Sequence, residues 1–255
     1  MYFIPQGEVK WKTVKYLQEP LGGSPTDSIW KYTLTLPVPL ADWDVWDYWE
    51  KERIASMEQH LKDGEILFDV GTEHGWCNLV YAKLVGPENM VLIEPTQEFW
   101  PNIRTTWFKN FDVEPMGFYD GLFSDKTTDE RTLYPKEWPN SSYGDLIDRN
   151  KYQYIHDNGA GIPEITLDEY VKRSGIVPDA ITMDTEGSEM LILKGSEKTL
   201  KKHHPKLFIS IHDDLGLRDY GTKPDEVVQW LAKLGYQGEY LGYDHEAHWY
   251  FQEFK

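Results

Sequence analysis

From residue 66 onward, short apolar runs alternate with segments in which apolar residues recur every three or four positions. Apolar runs of four to seven residues that end at acids or turn residues indicate buried strands. The predicted strands are ILFDV (66–70), NMVLIEP (89–95), an irregular strand within 113–124, DAITMD (179–184) and KLFISIH (206–212). The tail YQGEYLGYDHEAHWYFQEF predicts two further strands around a turn.

The segments between these strands have helical spacing and suitable end signals, such as Gly86 followed by proline and Pro224 in a first turn. The predicted helices cover 42–65, 75–86, 97–110, 166–175, 188–203 and 223–235. Alternating strands and helices are typical of a doubly wound α/β fold with a mostly parallel sheet. The terminal hairpin adds one antiparallel strand to this sheet.

Two parts of the chain lack this alternation. Residues 1–40 are rich in proline, glycine and tryptophan without sustained periodicity, and breakers predict a loop at 19–28. The polar segment 125–165 is too long for an ordinary connection, so we expect an insertion on the substrate side. We therefore divide the chain into an N-terminal extension with its leading helix (1–62) and a Rossmann-like domain (63–255).

Charge and composition narrow the choice of partners. Lys and Arg number 26 and Asp and Glu number 43, which gives a net charge of −17. This balance disfavours nucleic acids and anionic membranes as main partners, because both are bound through positive charge. Cys77 is the single cysteine, the N-terminus does not resemble a signal peptide, and no apolar run reaches the roughly 20 residues of a membrane span. We expect a soluble, cytoplasmic protein.

The first two strand ends carry the features of a nucleotide site. Ligands of doubly wound sheets bind beyond the carboxyl ends of the strands, here DVGTEHG (69–75) and IEP (93–95). Gly71 permits a sharp turn and Gly75 opens the next helix. Glu94 can accept hydrogen bonds from both hydroxyls of a ribose. A glycine turn alone also fits a tight strand-to-helix connection, but together with this acid it favours a nucleotide.

The spacing of the glycines helps to choose between nucleotides. Nicotinamide cofactors usually require G-x-G-x-x-G, whereas this chain has G-x-x-x-G directly after an acid. Asp69 would repel a pyrophosphate and suits the sulfonium and ammonium groups of S-adenosylmethionine. A nicotinamide-dependent oxidoreductase is therefore disfavoured.

Several blocks of the sequence resemble, in order, the FkbM family of S-adenosylmethionine-dependent methyltransferases. The resemblance covers about residues 46–212. The blocks are DYWEKE (47–52), DVGTEHGW (69–76), VLIEP (91–95), GLFSDK (121–126), ITLDEY (165–170) and MDTEGSEMLILKGSEKTL (183–200). Each block is short, and the ordered set is what makes the resemblance specific.

The resemblance implies the class I methyltransferase fold, a Rossmann-like seven-stranded sheet with one antiparallel strand. It also implies S-adenosylmethionine as cofactor and methyl transfer to a hydroxyl of a sugar or another small metabolite. The cofactor-binding positions that it implies are Asp69, Gly71, Thr72, Gly75, Glu94, Leu122, Phe123, Ser124 and Asp125, with Glu94 on the ribose and the last four bordering the adenine. The chain departs from the family pattern at Thr72, Glu73, Thr182 and Ser210.

The predicted catalytic residues follow the fourth and fifth strands of the sheet. A hydroxyl acceptor must lose its proton, and Asp184 and His212 are the candidate bases, the latter with an ordinary pKa of about 6.5. Glu186 is a candidate for substrate binding. The neighbouring acid Glu189 is explained by the positive end of the helix that it begins.

Three alternatives remain open at this stage. Asp184, Glu186 and Asp213 offer hard oxygen ligands to a metal. A second candidate metal site is DHEAH (244–248), although alternation along a strand would point His245 and His248 to opposite faces. We expect no metal at either place. Trp43, Trp46 and Trp49 fit sugar stacking or a buried helix stripe. The altered loop also fits a non-catalytic binding protein on the same scaffold.

Overall fold

The computed structural model describes residues 10–20, 28–37, 41, 50–133, 135–139, 161–212, 223–244 and 246–254. Its strands are β1 (Trp11–Pro20), β2 (Ser28–Pro37), β3 (Leu67–Val70), β4 (Met90–Ile93), β5 (Gly117–Tyr119), β6 (Leu122–Phe123), β7 (Glu164–Ile165), β8 (Ala180–Met183), β9 (Lys206–Ile211), β10 (Tyr236–Tyr243) and β11 (Ala247–Glu253). Its α-helices are α1 (Lys51–His60), α2 (Cys77–Val85), α3 (Trp100–Asn110), α4 (Leu167–Ser174), α5 (Glu189–Lys194), α6 (Glu197–His203) and α7 (Pro224–Lys233). No helix among these described residues is long and apolar enough to cross a membrane.

Seven strands form one sheet in the order β10-β11-β9-β8-β3-β4-β5. Strands β3, β4, β5, β8 and β9 are parallel, whereas β11 runs antiparallel to both β9 and β10. This order confirms the predicted doubly wound sheet with one antiparallel strand. In the central register Val70 lies beside both Ile93 and Met183, so β3, β4 and β8 end at the same edge.

The central strands are buried along their whole length because helices cover both faces of the sheet. All four residues of β3, β4 and β8 are buried. Leu67 and Leu92 pack with α2 and α3 in one core cluster. Phe68 and Val91 pack in a second cluster on the other face. Strands buried in this way hold the residues that follow them in fixed positions.

The helix predicted at 188–203 is two helices in the structure. It is interrupted at Gly195, where an added Cβ would lie 1.9 Å from the carbonyl oxygen of Ser124. The hydroxyl of Ser196 donates to the carbonyl of Ile192 at 2.6 Å, and the Asp168 carboxylate accepts the backbone N–H of Thr199 at 2.7 Å, in the first turn of α6. The contacts of Gly195 with Ser124 and of Asp168 with Thr199 join distant parts of the chain, so helical periodicity could not reveal the break.

The loop predicted near the N-terminus is also wrong in part. Strands β1 and β2 form an antiparallel hairpin in which Tyr16 lies opposite Tyr32. Alternate residues of the hairpin face the core, including Val14, Leu34 and Leu36. The signal that sequence reasoning missed is this period of two, which is short in each strand and interrupted by polar residues.

The hairpin is attached to α3, and the helix predicted at 42–65 is shorter than expected. Asn110 exchanges two hydrogen bonds with the backbone of Thr35, at 2.8 and 2.9 Å. Helix α1 ends at His60. Residues 42–49, with the three tryptophans of the predicted stripe, lie outside the described residues. Helix α4 is capped by Thr166, whose side chain accepts the backbone N–H of Glu169 at 3.1 Å.

The two ends of the segment 125–165 are held together. Strand β6 pairs with β7 in parallel, and Ser124 donates its backbone N–H to Ile165 at 3.0 Å. Residues 134 and 140–160 lie outside the described residues, so the proposed role of the segment as an insertion stays a prediction.

Candidate active site

The loop after β3 reaches across the sheet edge to the end of β8. Gly71 has φ 91°, and a Cβ added there would lie 1.9 Å from the carbonyl oxygen of Asp184. The backbone N–H groups of Gly71 and Thr72 both donate to the carbonyl of Ile93, at 3.0 and 3.1 Å. Gly75 has φ 79° and packs closely on Ile103 of α3. The loop is therefore fixed against two neighbouring strand ends.

Glu94 ties this loop to the one that follows β4. Its carboxylate accepts the backbone N–H of Glu73 at 2.8 Å and that of Thr96 at 2.7 Å. The side chain is buried, and burial raises the pKa of Glu94 to about 7 although the hydrogen bonds from Thr96 and Glu73 lower it. Both loops thus depend on one carboxylate at the expected ribose position.

Two buried polar side chains beside the loop contain atoms that have no hydrogen-bond partner among the described residues. The Oδ2 atom of Asp69 is one, and burial raises the pKa of this carboxyl to about 7. The other is Asn78 in α2, whose side-chain nitrogen and oxygen both lack partners. Buried polar groups are nearly always satisfied, so such atoms mark a place where a ligand can supply the missing partners.

The residues expected near the adenine differ in exposure. Phe123 and Ser124 are buried and Asp125 is exposed. The ring of Phe123 packs against those of Tyr119 and Tyr170, with centroids 5.5 and 5.4 Å apart. Phe123 thus belongs to the core as well as to the predicted cofactor side, and the contact of these three residues with adenine stays a prediction.

The three predicted catalytic residues come together. The Nε2 atom of His212 lies 3.6 Å from Oδ1 of Asp184 and 3.7 Å from Oε2 of Glu186. Asp184 is partly exposed, Glu186 is exposed and His212 is buried. Glu186 adopts φ 53° in the turn between β8 and α5. Asp213 lies outside the described residues.

Glu189 and Glu246 also surround His212, and sequence reasoning did not place either of them beside this residue. Glu189 begins α5 as expected, but its buried Oε1 accepts the N–H of Gly187 at 3.0 Å and lies 2.9 Å from Nδ1 of His212. Glu246 is 1 % exposed and its Oε2 lies 3.1 Å from Nε2 of the same ring. Burial lowers the pKa of His212, but Glu189 and Glu246 together raise it to about 12.

Helix α1 contributes a buried ion pair that sequence reasoning also missed. Arg53 pairs with Glu50, donates to the Tyr81 hydroxyl at 2.9 Å and lies 3.6 Å from Oδ2 of Asp184. Burial raises the pKa of Glu50 to about 7, and Arg53 opposes this rise. The available signal was spacing, since Glu50 and Arg53 share one helical stripe with Ile54 and Met57.

These contacts also shift the pKa of the partly exposed Asp184 carboxyl. Burial raises the pKa of Asp184 and Glu246 raises it further, whereas Arg53 and His212 lower it. The carboxyl is therefore a stronger proton acceptor than an ordinary aspartate. At neutral pH the His212 ring is protonated, so its positive charge attracts the Asp184 carboxylate.

The model of the methyltransferase FkbM domain matches residues 69–237. The chain belongs to the FkbM methyltransferase family. The match begins at Asp69 and includes β3, β4, β8 and β9, whose ends form the site.

The fold of the chain is similar to that of a solved FkbM methyltransferase. The FkbM methyltransferase from Methylobacillus flagellatus KT is 18 % identical with a TM-score of 0.52, over 75 % of this chain and 44 % of that one. A putative rRNA-methylase from Clostridium thermocellum is 11 % identical with a TM-score of 0.47, over 80 % and 93 %. A putative methyltransferase from Streptococcus mutans, in complex with SAH, is 8 % identical with a TM-score of 0.46, over 80 % and 97 %.

The chain spans less than half of the Methylobacillus protein. No curated protein matches the sequence. The family match and the sheet order together agree on the fold of a methyltransferase domain, a seven-stranded Rossmann-like sheet.

One residue that departs from the FkbM pattern contacts a buried histidine. Ser210, where the family often has glutamate, lies with its Oγ 3.0 Å from Nδ1 of the buried His248. The other ring nitrogen of His248 lies 2.8 Å from Oδ1 of Asp244. Both nitrogens of this imidazole are thus engaged within the terminal hairpin and its neighbour β9. His245 lies outside the described residues.

Proposed function

We propose that this chain is an S-adenosylmethionine-dependent O-methyltransferase acting on a hydroxyl of a sugar or another small metabolite. The observation that carries the proposal is the contact between Gly71 and the backbone of Asp184. It brings the expected cofactor loop to the strand end that holds the candidate base. A methyl donor and an acceptor hydroxyl can therefore be held side by side.

The residues of the loop fit this cofactor. Asp69 offers a buried carboxylate oxygen without a donor, which suits the ammonium group of the methionine moiety. Gly71 and Gly75 keep the loop backbone close to the neighbouring elements, and Glu94 retains acceptor capacity for ribose hydroxyls. Thr72, Phe123, Ser124 and Asp125 stay in the proposed set. The bound cofactor supplies a methyl group already activated on a sulfonium.

The remaining task of the protein is to take the proton of the acceptor. We assign this to Asp184, whose side chain is 29 % exposed and whose pKa is raised by burial and by Glu246. His212 is held as a cation by Glu189 and Glu246, so in this proposal it orients Asp184 and balances charge. Exposed Glu186 contacts the substrate at the rim. The net charge of −17 agrees with a small-molecule partner.

Calorimetry with S-adenosylmethionine, S-adenosylhomocysteine and NAD tests the cofactor. We expect both adenosyl ligands to bind and NAD not to bind. Glu94→Ala should weaken binding at least about tenfold, which is the loss expected for a hydrogen-bonded charged group. Glu98→Ala, in the same segment, is the control and should bind normally. Failure of both adenosyl ligands to bind would overturn the cofactor assignment.

Turnover tests the role of Asp184. A metabolite extract incubated with isotopically labelled S-adenosylmethionine should yield a labelled product by mass spectrometry, which identifies the acceptor. Asp184→Asn should bind the cofactor like wild type and lose about 100-fold or more in turnover, as expected for a general base. Wild-type turnover in this variant would remove Asp184 from the mechanism. Cofactor binding without any labelled product would favour the non-catalytic binding protein.

A further inference from the structure

We propose that Asp184, His212 and Glu246 bind a divalent transition-metal ion. Each offers one ligand atom, and these atoms all lie within 4.8 Å of one another. They come from three elements, the end of β8, the end of β9 and the turn between β10 and β11. The proposal concerns ion binding by the free protein, so it stands apart from the identity of the methyl acceptor.

The spacing of the candidate ligand atoms fits one ion. Ligand atoms at about 2.1 Å from a tetrahedral ion lie about 3.4 Å from each other. The Nε2 atom of His212 lies 3.1 Å from Glu246 and 3.6 Å from Asp184. Oε2 of Glu186, at 3.7 Å from the same nitrogen, is near enough to add a fourth ligand with a small movement of its exposed side chain.

The other side of the His212 ring is arranged as it is in many metal sites. A metal-bound imidazole usually donates its second N–H to a carboxylate, which fixes the ring and its tautomer. Here Nδ1 lies 2.9 Å from Oε1 of Glu189, a fully buried carboxylate. The ring therefore directs Nε2 toward Asp184 and Glu246. An ion bound at Nε2 replaces the proton that this nitrogen otherwise carries.

A second observation is an excess of negative charge around the His212 ring, where two of the carboxylates, those of Glu189 and Glu246, are buried. Asp184, Glu186, Glu189 and Glu246 all have a carboxylate oxygen within 3.7 Å of this single ring. The other carboxylate oxygen of Glu189 is fully buried and has no hydrogen-bond partner among the described residues. A protonated ring together with Arg53, which lies 3.6 Å from Asp184, supplies at most two positive charges to four carboxylates. A divalent ion adds the charge that buried carboxylates require.

The ligand types indicate which ion. Mg²⁺ and Ca²⁺ take oxygen ligands, whereas a mixed set of one imidazole and carboxylates suits Mn²⁺, Zn²⁺ or Fe²⁺. A second group, formed by Glu50, Glu246 and His248, has a similar spacing. We favour the first group because both ring nitrogens of His248 already have partners and Glu50 is paired with Arg53.

The role of the ion in catalysis rests on the proposed function. Asp184 is both the proposed base and an ion ligand, so an ion held there is close enough to bind the acceptor oxygen and lower the pKa of its hydroxyl. Ion binding and cofactor binding are measured separately, so one can fail without the other.

Titration of the chelator-treated full chain with Mn²⁺ and with Zn²⁺, followed by calorimetry, tests the site. We expect one ion per chain. Glu246→Gln and His212→Gln should each weaken binding at least about tenfold, and Glu189→Gln by about 10–100-fold, as for a residue that orients a ligand. His248→Gln and Glu253→Gln are the controls and should bind like wild type. Circular dichroism checks that each variant folds.

Several results would overturn the site. One is absence of saturable binding of either ion by the wild-type chain. Another is unchanged affinity in folded Glu246→Gln, which does not depend on whether His212→Gln folds. A third is loss of binding in His248→Gln with retention in His212→Gln, since that would assign the ion to the second group. Mn²⁺ paramagnetic resonance should give a protein-bound spectrum for wild type and a free-ion spectrum for Glu246→Gln.

Discussion

Gly71 and Asp184 are in contact at the ends of the neighbouring strands β3 and β8. A Cβ added to Gly71 would lie 1.9 Å from the carbonyl oxygen of Asp184. The residues are 113 positions apart in the chain, and the register of β3 with β8 brings them together. The contact fixes the distance between the expected cofactor loop and the candidate base. Its loss should therefore affect both stability and cofactor binding.

The first prediction concerns this contact. Gly71→Ala adds a left-handed strain of about 1–2 kcal/mol and an overpacking cost of about 1–3 kcal/mol, so we expect a loss of about 2–5 kcal/mol in unfolding free energy. Gly64→Ala is the matched control, because Gly64 has φ 87° with nothing within 4 Å of an added Cβ. Urea denaturation of Gly64→Ala should therefore show only the loss of unfolding free energy that comes from left-handed strain. Equal losses at the two positions would contradict the contact.

The second prediction concerns the buried pair of Glu50 and Arg53. Breaking such a pair from one side leaves an uncompensated buried charge, so Arg53→Met should cost about 3–5 kcal/mol. The double variant Glu50→Gln/Arg53→Met should lose less than the sum of the two single variants, with a coupling of about 0.5–3 kcal/mol in denaturant unfolding.

An exposed pair is the control for that cycle. Lys201 and Glu197 form an ion pair on the surface of α6. Lys201→Met should cost less than about 1 kcal/mol, because water screens exposed charges. Strict additivity in the Glu50 and Arg53 cycle would show that the two side chains do not interact.

The third prediction is a pH dependence due to Asp69. Because burial raises the folded pKa to about 7, the folded state favours the protonated carboxyl. This stabilisation is complete below the unfolded pKa of about 3.9 and is lost as pH rises through 7. A shift of this size corresponds to at most about 4 kcal/mol.

Thermal unfolding at pH 5 and pH 8 checks this dependence. The melting temperature of wild type should fall between these values, and that of Asp69→Asn should fall less, because the amide does not ionise. Asp63→Asn changes an exposed acid and should follow wild type. Identical pH profiles for wild type and Asp69→Asn would exclude the proposed burial of charge.

The fourth prediction concerns the helix break at Gly195. This residue has φ −71°, in which alanine usually stabilises a helical position by about 0.5–1 kcal/mol relative to glycine. The approach of Ser124 reverses the sign, so we expect Gly195→Ala to destabilise by about 1–3 kcal/mol. Lys194→Ala, at the neighbouring exposed position, is the control. Stabilisation by Gly195→Ala would rule out the close approach.

The sequence by itself determined the order of the seven strands of the main sheet and the polar residues that follow its central strands. Asp69, Glu94, Asp184 and His212 could be assigned to one site because parallel strands in a doubly wound sheet end at a common edge. Local periodicity contains this information, since burial of a strand or of one helix face repeats at fixed intervals. The family motifs come from the same strand ends.

Only the tertiary structure decided which other charges surround these strand ends. Arg53 comes from α1, Glu50 from the residue just before it, and Glu246 from the terminal hairpin, 196 positions after Glu50. The N-terminal hairpin and the break between α5 and α6 likewise depend on the tertiary structure. Contacts at such separations depend on how whole elements pack, and the intervals within a single strand or helix do not encode them.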